Sequence, residues 1–391
     1  MKIIFFSNFL NHHQLPLCKE LMNKGDVKFT FVATEPIPQS RLDMNYEDMN
    51  KKYSFVLRTY ENKDNIQIAL KLVEEADIAI IGSAPLFYIE NRLKKKNKLT
   101  FRFCERSLKK GMWRRFIPKI RKKIIDEYIQ YKDYRFYILG ASAYTSNDLV
   151  TCGFPQEKCY CWGYFPEIKR YPDIKQILKL KEPNSILWVA RFIELKHPEI
   201  PIIIAKRLKD EGYLFKMNLI GNGKLESKIR KMIEDYHLQN FVCLCGVMEP
   251  DKVREYMEKS QVFIFTSDHN EGWGAVLNEA MNSACAVVAS HAIGSVPFLI
   301  RNKQNGLIYQ NGKIDDLYRN VKILLENPYL CNLYGKEAYE TMIQEWNAPV
   351  AVDRFLKLSK YLINDKNFDL YLNGPCSEAP VYKNDWYKAE N

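Results

Sequence analysis

Two glutamates, Glu271 and Glu279, enclose the segment EGWGAVLNE, which combines hydrogen-bond acceptors with a flexible backbone. Gly272 and Gly274 allow a ligand to approach the main chain closely. From Ala275 onward the apolar residues recur with helical spacing, and the first N–H groups of a helix suit a phosphate. The segment therefore predicts an anion site flanked by two carboxylates that accept hydrogen bonds from sugar hydroxyls. The alternative is an ordinary loop-to-helix joint with two solvated glutamates.

Two cations, Arg191 and Lys196, share the loop that follows the first predicted strand of the second half, in WVARFIELK. Arginine offers a planar fork of donors and lysine a point charge, so the pair is able to hold a diphosphate. A solvated basic loop is the alternative interpretation of the same residues.

Further polar or small residues follow the neighbouring predicted strands. Gly221 and Gly223 come after the second strand, Ser267 ends the fourth, and Ser290 and His291 end the fifth. Parallel strands of a doubly wound sheet end at one edge, and such sheets bind ligands there. The convergence of these residues at that edge predicts a nucleotide site.

Predicted strands and helices alternate in both halves of the chain, which is typical of parallel sheets with crossover helices. We predict an α/β architecture of two doubly wound, Rossmann-like domains with a ligand cleft between them. The first domain spans 1–165, a proline-containing linker spans 166–184, and the second domain spans 185–345. Residues 346–391 are expected to form a helix and a tail that pack back on the first domain. One helix is expected over Met112–Tyr131.

The net charge of +11 on 391 residues is concentrated in one stretch. Residues 92–123 contain fifteen Lys or Arg and one acid, Glu105, a net of +14, so the rest of the chain sums to −3. Trp113 and Phe116 lie among these cations. Basic residues beside aromatic ones suit an anionic membrane surface, whereas a solvated helix face is the alternative. The sequence contains no run of about 18 apolar residues, the length that would predict a membrane-spanning helix.

Taken in order, these motifs resemble a known family. Arg191 and Lys196, then Gly221-Asn222-Gly223, then Glu271 and Glu279 with seven residues between them are similar to the donor half of retaining glycosyltransferases of family 4. The resemblance is strong over 185–345 and weaker over 1–165. It implies the GT-B fold, with the acceptor bound by the N-terminal domain and a nucleotide sugar by the C-terminal one.

The resemblance also implies a role for each matching position. Arg191 and Lys196 would hold the donor diphosphate, Glu271 would accept hydrogen bonds from the donor sugar, and Glu279 would bind the ribose. No metal and no cofactor is expected, and the donor is expected to be a UDP- or GDP-linked sugar. The donor contacts implied are Gly221, Gly223, Ser267, Gly272, Trp273, Gly274, Ala275 and Glu279.

The first half departs from the usual family pattern. Where many relatives have a glycine-rich loop, this chain has SNFLNHHQ, so His13 becomes a candidate for contacts with the acceptor or the donor phosphates. Capping of the first helix is the alternative role of His13. Glu105 is a second acceptor-side candidate, and its alternative is an ion pair with Arg102 or Arg106. Lys196 is followed by His197 rather than glycine, which leaves the shape of that loop open.

The resemblance implies a metal-independent hexosyltransferase that retains the donor configuration and acts in bacterial surface-polysaccharide synthesis. Its expected acceptor is a glycan or a polyprenyl-diphosphate-linked sugar. We expect a cytoplasmic protein, peripheral at the inner face of the plasma membrane through residues 92–123. The alternatives are a nucleotide-sugar 2-epimerase of the same architecture and a basic nucleic-acid-binding protein. The sequence has no RNA-binding aromatic signature, so no nucleic acid is expected as a partner.

Overall fold

The computed structural model describes residues 1–42, 47–364 and 371–388. The chain divides into two compact units. The first is Met1–Glu167 with Asn347–Tyr382, and the second is Ile168–Trp346 with Lys383–Asn391. Within the described ranges, none of the helices has the length and apolar character needed to cross a membrane.

Strands in the first unit are short and separated by helices. The strands are β1 Lys2–Ser7, β2 Lys28–Ala33, β3 Val56–Arg58, β4 Ile78–Ile81, β5 Thr100–Cys104, β6 Phe136–Gly140 and β7 Cys159–Cys161. The helices are α1 Leu15–Asn23, α2 Gln39–Leu42, α3 Met49–Lys52, α4 Lys63–Glu75, α5 Phe87–Lys96, α6 Pro118–Glu127 and α7 Thr145–Val150. Short 3-10 turns cover Met112–Phe116, Ile129–Tyr131 and Gln156–Lys158.

All strand pairs of this sheet are parallel, in the order β3-β2-β1-β4-β5-β6-β7. The central strands β1 and β4 are nearly continuous apolar runs, because helices cover both faces of a parallel sheet. The winding direction reverses between β1 and β4, which makes the carboxyl ends of these strands the expected place for a ligand.

The second unit repeats this plan with six strands. The strands are β8 Glu182–Val189, β9 Lys216–Ile220, β10 Val242–Leu244, β11 Ser260–Phe265, β12 Ala286–Ser290 and β13 Leu307–Tyr309. The helices are α8 Ile174–Lys179, α9 Glu199–Asp210, α10 Glu226–Asp235, α11 Pro250–Lys259, α12 Val276–Asn282, α13 Val296–Leu299, α14 Ile314–Glu326 and α15 Pro328–Gln344. A 3-10 turn covers Glu194–Lys196, and the last helix, α16 Ala348–Asn364, belongs to the first unit.

The second sheet is also parallel, in the order β10-β9-β8-β11-β12-β13. Its winding direction reverses between β8 and β11. Apolar residues of the strands and of α9, α10 and α14 form one continuous core around Trp188, Ile264 and Leu317. The observed strands confirm the predicted α/β class with two doubly wound sheets.

Three expectations about local structure differ from what is observed. The single helix expected over Met112–Tyr131 is divided at Pro118, which has no N–H to donate and begins α6. Part of the expected linker 166–184 is α8, whose Ile177 packs with Ala284 and Tyr339. The C-terminal tail, expected to pack on the first domain, is divided between the two units, since Lys383–Asn391 is assigned to the second unit.

Candidate functional site

The loop after β8 is tied to the loop after β11 by a short chain of hydrogen bonds. The Trp188 indole donates to the hydroxyl of Thr266 at 2.9 Å, and that hydroxyl donates to the carbonyl oxygen of Lys196 at 2.6 Å. The N–H of Asp268 donates to the carbonyl oxygen of Leu195 at 3.1 Å. Both loops lie at the reversal point of the sheet, so these bonds fix the backbone where a ligand is expected.

His197 completes the turn that carries Lys196. Its φ of 50° lies in the left-handed region, which is the conformation that glycine adopts most easily. The imidazole lies 3.0 Å from the carboxylate of Glu199 and 3.4 Å from that of Asp268. Hydrogen bonds to Asp268 and then Glu199 raise the pKa of His197 to about 9. The ion pairs of a charged His197 with two acids therefore stabilise a left-handed backbone conformation that glycine would adopt without such contacts.

Lys196 and Glu271, two predicted catalytic residues, form an ion pair in the structure. Each side chain is only 14% exposed, and the Lys196 ammonium lies 5.5 Å from the centre of the Phe265 ring. Arg191, the third predicted residue, is exposed on the same loop. Within the described residues its side chain makes no hydrogen bond or ion pair, so its guanidinium is available to an anion.

Two glycines bring the main chain close to this site. Gly221 has a φ of 129°, and a β-carbon there would overlap the carbonyl oxygen of Ala190. Gly274 has a φ of 82°, and a β-carbon would come within 2.6 Å of the Phe265 ring. Neither position accepts a side chain without displacing the loops. Gly223 packs similarly on the main chain of Phe192.

Glu279 lies in the first turn of α12, which begins one residue later than expected, at Val276 with Ala275 as its cap. Burial raises the pKa of Glu279, and the charge of Arg254 opposes this shift. Arg254 itself donates to main-chain and side-chain oxygens of α12. The Glu279 carboxylate has no hydrogen-bond partner in the described part of the chain. The hydroxyl of Ser267 is buried and likewise lacks a partner there.

The side chain of Trp273 does not line this site, contrary to the expectation that it lies beside the donor sugar. It is 1% exposed, and its indole donates to Asn278 at 2.9 Å. The ring packs near those of Phe298 and Trp346, with centroids 6.2 and 5.8 Å away. An apolar ring with one satisfied N–H belongs in the core, so only the main chain of Trp273 is left to face a ligand.

The first-unit candidates meet around Tyr164. Its hydroxyl donates to Glu105 at 3.2 Å, and its ring centre is 5.9 Å from that of His13. Glu105 also forms an ion pair with Lys109 at 2.6 Å, rather than with Arg102 or Arg106. The side chain of Asn11 accepts the N–H groups of His13 and Gln14 just before α1, and no side chain among the described residues, that of His13 included, caps the helix.

A pocket of ≈ 520 Å³ opens beside these residues, at the carboxyl ends of β1, β4 and β5. Its polar lining includes Asn8, Asn11, Gln14, Arg102, Glu105 and Lys109. The Nε of Arg102 is buried without a partner among the described residues, although its other nitrogens contact Gly82 and Glu127. Amides, carboxylates and cations around one pocket are suited to a polyhydroxylated ligand.

Several of these residues were not identified from the sequence. Tyr164, Asp268 and Arg254 contact residues that are distant in the sequence, and no local sequence pattern indicates such contacts. Asn11 could have been found, since an Asn side chain often accepts main-chain N–H groups two or three residues later in a turn. Within the described residues, no group of three or more metal-ligating side chains is present.

The fold is that of an α/β protein, and a candidate site with two cations and two carboxylates lies at the reversal point of its second doubly wound sheet. Residues 170–341 match the family model of glycosyl transferases group 1. This match lies within the second unit and confirms the predicted resemblance there.

Two curated relatives align with about half of the chain. The poly(ribitol-phosphate) alpha-N-acetylglucosaminyltransferase of Staphylococcus aureus is 28% identical over 206 residues, which is 52% of this chain and 40% of the relative. The amylovoran biosynthesis glycosyltransferase AmsK of Erwinia amylovora is 29% identical over 203 residues, 49% of each chain. The chain thus spans about half or less of the length of these relatives.

A solved structure covers nearly the whole chain. Anabaena HepE in complex with UDP has a TM-score of 0.66 and 14% identity, over 92% of this chain and 99% of HepE. At that identity the similarity concerns the fold alone, and it confirms the predicted GT-B class.

Proposed function

We propose that the protein is a retaining glycosyltransferase that moves a sugar from a nucleotide-diphosphate sugar to a glycan or lipid-linked acceptor in bacterial surface-polysaccharide synthesis. The observation that carries the proposal is the Lys196–Glu271 pair beside the exposed Arg191, at the reversal point of the second sheet. The family match over this unit supports sugar transfer rather than epimerisation or nucleic-acid binding.

The geometry suggests how a donor would enter. Its diphosphate would draw Lys196 away from Glu271 and would also attract Arg191, the fork-shaped donor without a partner. Glu271 would then accept hydrogen bonds from hydroxyls of the sugar, and the unpartnered carboxylate of Glu279 would accept those of the ribose. The two cations stabilise the negative charge that develops as the sugar–phosphate bond breaks, without a metal ion.

Retention of configuration comes from the family resemblance and sets the geometry of the reaction. The acceptor hydroxyl attacks the anomeric carbon on the face that the diphosphate leaves. A phosphate oxygen of the departing diphosphate accepts the proton of that hydroxyl. The residues of this chain position the donor and stabilise the departing charge, and no covalent sugar–enzyme bond is needed.

A donor screen followed by substitution tests the second-unit site. UDP-sugars and GDP-sugars should raise the melting temperature, because a ligand that binds only the folded state stabilises it by mass action. Glu271→Ala should lower transfer about a hundredfold or more, as expected for a lost positioning and electrostatic group. Glu255→Gln is the matched control, because Glu255 is an exposed acid on α11 that pairs with Lys252. Full activity of Glu271→Ala would reject the assignment.

The acceptor is proposed to occupy the first-unit pocket. The Staphylococcus aureus relative is named for a polymer of ribitol phosphate, and a polyhydroxylated acceptor of this kind suits the amides and cations of the pocket. Glu105→Gln should raise the KM for the acceptor while the KM for the donor stays constant. An equal change in both constants would place Glu105 outside the acceptor site.

Membrane attachment is proposed through the exposed part of residues 92–123. Arg92 and Arg106 are buried and hold the fold, since Arg92 donates to main-chain oxygens and Arg106 pairs with Asp148. Trp113 and Phe116, by contrast, are 63% and 71% exposed and lie among the remaining cations. Aromatic rings beside cations insert at an anionic interface. The protein would then be peripheral at the inner face of the plasma membrane.

Flotation with liposomes tests this attachment. The protein should float with phosphatidylglycerol-containing vesicles at low salt and less at high salt, because surface charge is screened. Trp113→Ser with Phe116→Ser should reduce flotation. Leu214→Ser is the control, because Leu214 is 80% exposed in the second unit. Equal flotation of both variants would argue against the patch.

A further inference from the structure

The segment 383–388 lies at the carboxyl ends of β12 and β13 in the second unit. The Tyr387 hydroxyl donates to the carbonyl oxygen of Ile308 in β13 at 2.8 Å. The Trp386 indole donates to the carbonyl oxygen of His291, which directly follows β12, at 3.3 Å. This segment therefore covers the strand ends on the side of the sheet where ligands bind.

His291 receives a defined tautomer from its surroundings. The N–H of Asn311 donates to Nδ1 at 2.9 Å, so Nδ1 is the unprotonated acceptor. Nε2 then carries the proton and donates to the carbonyl oxygen of Asn384 at 3.0 Å. Burial lowers the pKa of His291, which favours this neutral form. The segment 383–388 thus provides the acceptor for the Nε2–H group of His291.

Aromatic and imidazole rings connect this segment to the loop 268–271, which carries Glu271. His291 lies 6.3 Å from the Trp386 ring and 6.1 Å from the Tyr387 ring, measured between centroids. On its other side, the His269 ring meets His291 edge-on, at 5.5 Å and 86°. His269 belongs to the loop 268–271, which ends at Glu271, and the N–H of Glu271 donates to the carbonyl oxygen of Asp268 at 3.0 Å. Contacts thus run without interruption from Trp386 to the loop of Glu271.

We propose that the segment 383–388 is a positioning element of the donor site, acting through His291 and His269 on the loop that carries Glu271. The expected effect on catalysis rests on the proposed function, whereas the expected effect on the two histidine rings does not. Trp386 would act on Glu271 through these rings, as a positioning residue and not as a catalytic one. Its role is to hold the two histidine rings so that the Glu271 carboxylate meets the donor sugar in one orientation.

Histidine-ring NMR tests the structural part without any substrate. The spectra of the full chain are assigned with His291→Asn and His269→Asn. Trp386→Ala should shift the ring signals of both His291 and His269, and the Nε2-protonated tautomer of His291 should persist. Tyr329→Ala, at a tyrosine that is 77% exposed on α15, should shift neither. Unchanged His269 signals in Trp386→Ala would overturn the proposal, whether or not the protein is a transferase.

A double-mutant cycle tests the catalytic part. Trp386→Ala should lower kcat/KM for the donor by about tenfold, because a small displacement of a positioning group is costly in rate. In a Glu271→Ala background the same change should have little further effect, because it acts through that residue. Trp386→Phe keeps the ring and should recover most of the activity. Equal losses in both backgrounds would show a general structural defect and overturn the proposal. A wild-type protein without transferase activity would instead reject the proposed function and leave the NMR test decisive.

Discussion

His197 allows the physical reasoning about the loop after β8 to be tested with a single position. Its backbone has a φ of 50°, which costs a residue with a β-carbon about 1 kcal/mol relative to glycine. The same side chain lies between Glu199 and Asp268. Replacement by alanine removes the ion pairs and keeps the backbone cost, whereas replacement by glycine removes both.

The magnitude follows from the pKa of His197, which is raised from 6.5 to about 9. At 1.36 kcal/mol per pKa unit this difference corresponds to an upper limit of about 3 kcal/mol. The side chain is 32% exposed, so solvent screening reduces the expected contribution to roughly 1–2 kcal/mol. His197→Ala should therefore lower the free energy of unfolding by that amount at pH 6. His197→Gly should recover about 1 kcal/mol of it, less the greater chain entropy of glycine.

The pH dependence has a definite sign. A group whose pKa is raised on folding binds more protons in the folded state, so its stabilisation is complete below pH 6.5. That stabilisation is lost as the pH rises from 6.5 through about 9. The difference between wild type and His197→Ala should thus be largest near pH 6 and nearly absent at pH 10.

Urea denaturation at pH 6, 8 and 10 measures these differences, followed by tryptophan fluorescence. His237 provides a matched control, because it also has a left-handed φ, 53°, and makes no ion pair within the described ranges. His237→Ala should lower the free energy of unfolding by an amount that does not change with pH. A gap between wild type and His197→Ala that is equal at pH 6 and pH 10 would refute the electrostatic argument. A His197→Gly variant no more stable than His197→Ala would refute the backbone argument.

Two other substitutions test the loops and the first-unit core. Gly221→Ala should abolish the thermal shift caused by nucleotide sugars, because a β-carbon at a φ of 129° overlaps the loop after β8; a normal shift would show that this loop does not contact the donor. Asp148→Asn should lower the free energy of unfolding in urea by about 3–5 kcal/mol, because it leaves the guanidinium of Arg106 buried without its counter-charge; a loss below about 1 kcal/mol would contradict this account of the pair.

The sequence indicated the strands and the edge of the sheet where Lys196 and Glu271 meet. Continuous apolar runs such as KIIFFS predict buried parallel strands, and residues after such strands share one edge. Lys196 and Glu271 were assigned to one site on this basis, and the structure brings them into contact across 75 positions of the chain. The roles of these residues toward a donor stay predictions.

Other features depend on tertiary partners that no local pattern specifies. The left-handed backbone at His197 is stabilised by Asp268, a residue from another loop. Trp273 follows a glycine in a polar segment, so its sequence context favours a ligand contact, yet Asn278 and the neighbouring rings bury it. The division of the C-terminal tail between the units rests on single contacts, such as Asn384 with His291, that leave no periodic signal.

The balance of charge at the proposed donor site favours one kind of ligand over others. Lys196 and Glu271 neutralise each other, whereas Arg191 and Glu279 have no side-chain hydrogen bond in the described residues. A bare diphosphate would attract Lys196 and leave the Glu271 carboxylate, only 14% exposed, without a counter-charge. A free sugar would satisfy Glu271 and leave the two cations unused. A ligand that carries hydroxyls next to a diphosphate would satisfy all four side chains at once, and on this ground we propose that the site binds an intact nucleotide sugar in preference to a bare diphosphate or a free sugar.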